Sequence, residues 1–148
     1  MISPRASSGG WEKGDTILGE QIGEEKGRVT ARRVVSTDPA RVEVSAETEG
    51  NLLGVATKNI ISYVSQLRPD GTLFREGQGV VMGKDGDMAT WKGQGVGVFQ
   101  ENGAITYRGA IYYQSASTRF ERLNSIACVY EYAVNAEGNT SAKLYEWR

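Results

Sequence analysis

From about residue 15 onward the chain repeats one pattern. Runs alternating apolar and polar residues, rich in Val, Ile, Thr, Tyr and Phe, are punctuated by clusters of Gly, Asp, Asn and Pro. Alternation at period two marks strands with one buried face, and the interruptions carry turn chemistry. The turn clusters are Gly23-Glu24-Glu25-Lys26-Gly27, Asp38-Pro39-Ala40, Pro69-Asp70-Gly71, Asp85-Gly86, Asn102-Gly103 and Gly138-Asn139. They predict strands over 15–22, 27–36, 41–49, 55–67, 73–82, 88–100, 104–114 and 126–134, with 140–147 as a candidate ninth. Such strands exceed the ~5–6 residues usual in small flat sheets and suit the tilted wall of a barrel. The expected fold is all-β: a closed antiparallel eight-stranded up-and-down barrel over 14–148, behind a flexible lead-in at 1–13.

Residues 118–123 depart from the strand period. Thr118 and Glu121 have capping-box spacing, and Asn124 suits a left-handed stop. Phe120 and Leu123 then share one face of a short helix, placed to close a barrel end.

Composition narrows the chemistry. Glycine is 19 of 148 residues, well above the ~7% average, and it is interleaved with strand formers rather than gathered in a linker. The 17 basic and 18 acidic residues are well mixed, so no basic block points to nucleic acid. No apolar run is long enough for a membrane helix, and the N-terminus lacks a signal-peptide core, which makes a cytoplasmic location the default expectation. Histidine is absent and Cys128 is alone, which disfavours zinc and iron sites, so no metal or other cofactor is expected. Acid–base chemistry would fall to Asp, Glu, Lys, Tyr or Cys128. Cys128 reads as a small buried hydrophobe.

The strand containing Gly93, Gly95 and Gly97 carries most of the functional information. Strands flank it on both sides, so it is not a phosphate-cradling loop, which needs a helix after it. Two-residue turns at Asp85-Gly86 and Asn102-Gly103 would set Gln78, Glu76 and Phe74 opposite Gly93, Gly95 and Gly97. On the other side Tyr112, Ala110 and Arg108 would face the same three glycines, and Gln114 would face Trp91. Cross-strand partners share a face. One face would then present a trough of glycines between Glu76 and Gln78 on one side and Arg108 and Tyr112 on the other. Phe74, Trp91, Phe99 and Gln114 would complete it.

Such a mostly apolar wall with a few convergent polar groups has the character of a ligand pocket. In this reading Glu76 is a carboxylate base or anchor, and Arg108 and Tyr112 donate to a carbonyl, enolate or carboxylate. Phe74, Gln78, Trp91, Gly93, Gly95, Gly97, Phe99 and Gln114 shape the ligand site. The opposite face, which would include Arg75 and Lys92, is nearly as apolar. If it lies outside, it predicts a homo-oligomer, a dimer or trimer.

From about Leu73 onward the chain resembles the allene oxide cyclase-like barrel proteins, which also include the dirigent proteins. The resemblance rests on Tyr107-Arg108-Gly109-Ala110-Ile111-Tyr112-Tyr113-Gln114, then Phe120-Glu121-Arg122-Leu123-Asn124, then Val129-Tyr130-Glu131-Tyr132. It implies an eight-stranded barrel, often oligomeric, that holds an apolar substrate and steers its cyclisation largely by pocket shape. The leading expectation is therefore a barrel binding a small apolar or amphipathic molecule in its lumen, with cofactor-independent isomerisation or cyclisation as the candidate chemistry. A lipocalin-like carrier without turnover and a structural or oligomerisation module are the alternatives.

Overall fold

The computed structural model describes residues 18–148, so the lead-in at 1–13 and the domain start at residue 14 lie outside the described residues. Eight strands succeed one another: β1 (Leu18–Thr37), β2 (Ala40–Leu52), β3 (Val55–Leu67), β4 (Leu73–Gly83), β5 (Met88–Phe99), β6 (Ile105–Gln114), β7 (Cys128–Val134) and β8 (Asn139–Trp147). Each pairs antiparallel with the next, and β8 pairs back onto β1, closing an up-and-down barrel. A 3-10 helix, Thr118–Ser125, joins β6 to β7.

The strand count is eight because the two expected N-terminal strands are one. The cluster Gly23-Glu24-Glu25-Lys26-Gly27 is no turn; it runs through the middle of β1, paired to β2 on one side and β8 on the other. Neither glycine takes a positive φ. Their missing side chains serve close approach instead. A Cβ on Gly27 would collide with the β2 backbone at Glu47 and Thr48, and one on Gly23 would lie 2.9 Å from the Asn51 carbonyl. Glu25, expected in a turn, faces the lumen and is buried.

Four hairpins use the same three-residue loop: Pro69-Asp70-Gly71, Lys84-Asp85-Gly86, Glu101-Asn102-Gly103 and Ala136-Glu137-Gly138. In each the closing glycine has φ near +86° (+87°, +86°, +85° and +86°). This is the type I turn with a left-handed glycine bulge. At Gly86, the residues flanking the loop are joined by Gly83 N–H donating to Asp87 O (2.7 Å), and Gly86 N–H donates to Gly83 O (3.3 Å). At Gly103 the corresponding bonds are Gln100 N–H to Ala104 O (2.8 Å) and Gly103 N–H to Gln100 O (3.1 Å).

The extra loop residue corrects the expected register by one. Gly93, Gly95 and Gly97 pair with Gly77, Arg75 and Leu73 on β4. On β6 they pair with Ile111, Gly109 and Tyr107, while Trp91 pairs with Tyr113. A one-residue slip sends every side chain of the neighbouring strand to the other face.

The short helix closes one barrel end as expected, with Phe120 and Leu123 both 0% exposed. Its capping differs from the capping box: Ser117 is the N-cap and makes no side-chain cap bond. Asn124 is no left-handed stop. It lies within the helix, and its side-chain amide grips Ser115 at both backbone atoms, accepting from N–H (2.7 Å) and donating to C=O (2.8 Å). That clamp holds the helix against the end of β6. Leu52, Val81 and Cys128 are buried at the same end of the barrel. Among the described residues, no helix is long and apolar enough to cross a membrane.

Candidate functional site

The register shift divides the residues singled out from the sequence. Trp91, Gly93, Gly95 and Gly97 face inward, as expected. Glu76, Gln78, Arg108, Tyr112 and Gln114 point outward, Phe74 is only half-buried, and Phe99 is 54% exposed. The expected catalytic set therefore does not converge in the lumen. Glu76, Gln78 and Tyr112 border a shallow concavity of about 590 Å³ on the outer wall, where Gln94 Nε2 donates to Glu76 Oε2 (3.3 Å). Arg108 lies apart, 3.9 Å from Glu131, in an exposed ion pair.

The glycine trough exists, but the chain's own aromatic side chains fill it. A Cβ on Gly79 would strike the Trp91 indole, one on Gly95 the Tyr130 hydroxyl, and one on Gly97 would lie 2.6 Å from the Tyr107 ring. Strand glycines here make room for a ring from the neighbouring strand or the one beyond it.

Two ionisable side chains lie among these rings, and neither was among the residues expected to form a site. The first is Arg75, 7% exposed, on β4. The alternation that buries Leu73 and Val81 turns it inward. Its guanidinium carbon sits 4.2 Å from the Tyr132 ring centroid, 4.4 Å from Tyr107, 4.5 Å from Tyr63 and 5.0 Å from Tyr130. Nε donates to the Tyr130 hydroxyl (3.1 Å), and that hydroxyl occupies the space that Gly95 leaves. Each desolvated cation–π contact contributes up to roughly 2 kcal/mol. Three of the tyrosines also meet edge-on or tilted, with centroids 5.9–6.1 Å apart.

Among the described residues Arg75 has no carboxylate partner, and its buried Nη1 has no hydrogen-bond partner. Burial works against its charge, and the oxygens of Tyr130, Tyr63 and Tyr132 more than offset it, so its pKa is raised. Burial likewise pushes the Tyr107 hydroxyl up to about 12 and moves Tyr63 and Tyr132 upward.

The second is Glu25, 6% exposed, on β1. A directed chain of bonds ends on it. The Trp91 indole N–H can only donate, and it donates to Asn59 Oδ1 (3.1 Å), which fixes the amide orientation. Asn59 Nδ2 then donates to Glu25 Oε2 (3.1 Å) and Oε1 (3.3 Å), and the Thr48 hydroxyl donates to Oε1 (2.8 Å). Burial nevertheless dominates and raises the Glu25 pKa above 4.5; the bonds from Thr48 and Asn59 oppose it.

Glu25 and Arg75 line one cavity of about 30 Å³ inside the barrel, shared with Asn59, Trp91, Tyr113, Tyr130 and Tyr132. That is space for one or two waters, or an anion of similar size. Every residue lining it is buried.

No protein-family model and no curated protein matches the sequence. Solved structures do match the fold. A protein of unknown function from Clostridium acetobutylicum ATCC 824 superposes with a TM-score of 0.77 at 14% identity, covering 87% of this chain and 97% of that one. A conserved protein of unknown function from Rhodopseudomonas palustris gives 0.75 at 12% identity, over 87% and 97%. A beta-barrel like protein from Acinetobacter baumannii AYE gives 0.73 at 9% identity, over 88% and 95%. At these identities the likeness is one of fold, and the fold is a β-barrel.

Proposed function

We propose that this barrel binds a small polar molecule carrying an anionic oxygen, and that Arg75 is the cation that recognises it. One observation carries the reading: a charged guanidinium is buried with no carboxylate of the described residues within ion-pair distance, and its unpaired Nη1 belongs to the side chain that lines the lumen cavity. The tyrosine rings and oxygens offset the burial of the charge, but the buried Nη1 is left as a donor without an acceptor, and an anionic oxygen at that position would supply one. The apolar-substrate reading fits less well. Sites for drug-sized molecules run to ~300–1,000 Å³, whereas the lumen cavity is about 30 Å³. Of what the allene oxide cyclase-like resemblance implies, only the β-barrel enters this reading.

The test is thermal unfolding of wild type and Arg75→Met with formate, acetate and nitrate, alongside Trp91 fluorescence, since the indole lines the cavity. At a hundred times Kd the ligand adds about 2.7 kcal/mol to stability. A melting-point rise in wild type that is absent in Arg75→Met is the expected result. No rise with any of the three anions, or an equal rise in both proteins, would overturn the assignment.

A second reading, a structural module, is favoured by the filled glycine trough. It expects no anion effect, and assembly through outer apolar residues such as Ile60, Val80, Met82 and Met88, which are exposed on β3, β4 and β5. Light scattering measures that directly.

A further inference from the structure

Glu25 lines the same cavity as Arg75, and the role assigned to it here rests on the Arg75 reading. We infer that the lumen takes up its oxyanion together with a proton: Arg75 Nη1 donates to the ligand, and Glu25, as the neutral acid, donates its O–H to the ligand as well.

Geometry singles out the oxygen involved. Oε1 accepts from both Thr48 (2.8 Å) and Asn59 (3.3 Å), so both donors have an acceptor there. Oε2 accepts from Asn59 alone (3.1 Å) and is free to carry a proton at the loss of that one contact. A carboxylate facing an incoming anion would repel it, whereas a carboxylic acid offers a donor. The ligand class that fits is a small monoanionic oxyacid, a carboxylate in the simplest case. Its oxygens accept from a guanidinium on one side and an acid O–H on the other. The proton comes from solvent to Glu25 as the anion enters, and no bond within the ligand is made or broken.

Among the described residues, the charged and titratable groups facing Glu25 across the cavity are few. β4 supplies Arg75, β6 supplies Tyr113, and β7 supplies Tyr130 and Tyr132. The groups from β2, β3 and β5, namely Thr48, Asn59 and Trp91, are neutral. Tyr113 and Tyr132 are held above the ordinary tyrosine value by burial, so neither exchanges a proton near neutrality.

The experiment is calorimetric titration of the protein with sodium formate from pH 5 to 8, in buffers of different ionisation enthalpy; formate stays ionised throughout. The expected result is uptake of up to one proton per formate bound. Kd should rise about tenfold per pH unit above the Glu25 titration. Glu25→Gln keeps a neutral donor in place and should bind formate with a Kd that does not change with pH. Formate binding that depends on Arg75 but takes up no proton and has a flat Kd would overturn the coupling and leave the Arg75 reading intact. Absence of formate binding at every pH, or binding unchanged in Arg75→Met, would overturn both. The proton count in wild type decides the question even if Glu25→Gln fails to fold.

Discussion

The two ends of the lumen are built on opposite principles. At the end closed by the short helix, Phe120, Leu123, Val81, Leu52 and Cys128 are at most 2% exposed and carry no hydrogen-bond demands beyond the backbone. Towards the other end, four tyrosines surround a guanidinium, and the Tyr107 hydroxyl bonds Ser65 (2.9 Å). Between them lies the Trp91–Asn59–Glu25 chain. The first end gains stability from burial alone. The second holds a charge that a leucine of similar volume would replace at no desolvation cost. The difference separates the part of the core that makes the barrel fold from the part proposed to recognise a ligand.

The largest test sets the two ends against each other. Phe120→Ala removes a fully buried ring from the apolar end and should lower stability by about 3–5 kcal/mol in urea unfolding. Arg75→Met, at the other end, gives up the ring contacts and the Tyr130 bond but also removes a charge that lacks a counter-ion and substitutes apolar volume, so its loss should be smaller. Equal losses would mean that the tyrosine cage is a second structural plug, and the contrast between the ends would collapse.

The sequence makes the barrel legible and hides the site, for one physical reason. Alternation locates strands and the face each residue shares with its own strand neighbours, so it groups Trp91, Gly93, Gly95 and Gly97 correctly, and the break in it at 118–123 marks the end helix. Alternation does not say how adjacent strands are phased. That is set by loop length, and a three-residue loop read as two exchanges the faces of β4 and β6 relative to β5. Arg75 thereby changes places with Glu76, and Tyr107 with Arg108. A usable signal is present. Ala136-Glu137-Gly138 and Pro69-Asp70-Gly71 each end on glycine at the third loop position, and proline suits the first position of a type I turn. The same form fits Lys84-Asp85-Gly86 and Glu101-Asn102-Gly103. Glu25 is hidden differently, because glycines on both sides make a mid-strand segment look like a turn.

A smaller perturbation probes the join between the two ends. In Gly79→Ala the new methyl would strike the Trp91 indole, so the ring must shift, and the small lumen cavity beside it absorbs only part of that movement. The expected cost is about 1–3 kcal/mol, the range for overpacked cores. Loss of the Trp91 bond to Asn59 should accompany it, read as a changed tryptophan emission maximum. The apolar end should be untouched, so amide exchange in the Phe120 and Leu123 segment should slow or quicken only in step with global stability. Selective exposure of that segment would mean that the two ends are one cooperative packing unit.

The smallest effect isolates the polar centre without touching its volume. Burial raises the Glu25 pKa above its unfolded value, so the folded state favours the neutral acid. Its contribution to stability is fully present below the unfolded value near 4.5 and is lost as pH rises through the raised folded value. Glu25→Gln cannot ionise. The mutant should therefore gain on wild type as pH rises across that window, and the gap should stay constant above it. Urea midpoints at intervals from pH 4 to 9 measure the gap. The opposite slope, with wild type gaining on the mutant, would mean that the bonds from Thr48 and Asn59 outweigh burial and hold a carboxylate. An anion could not then share the cavity with Glu25, and the lumen would have one recognising group instead of two.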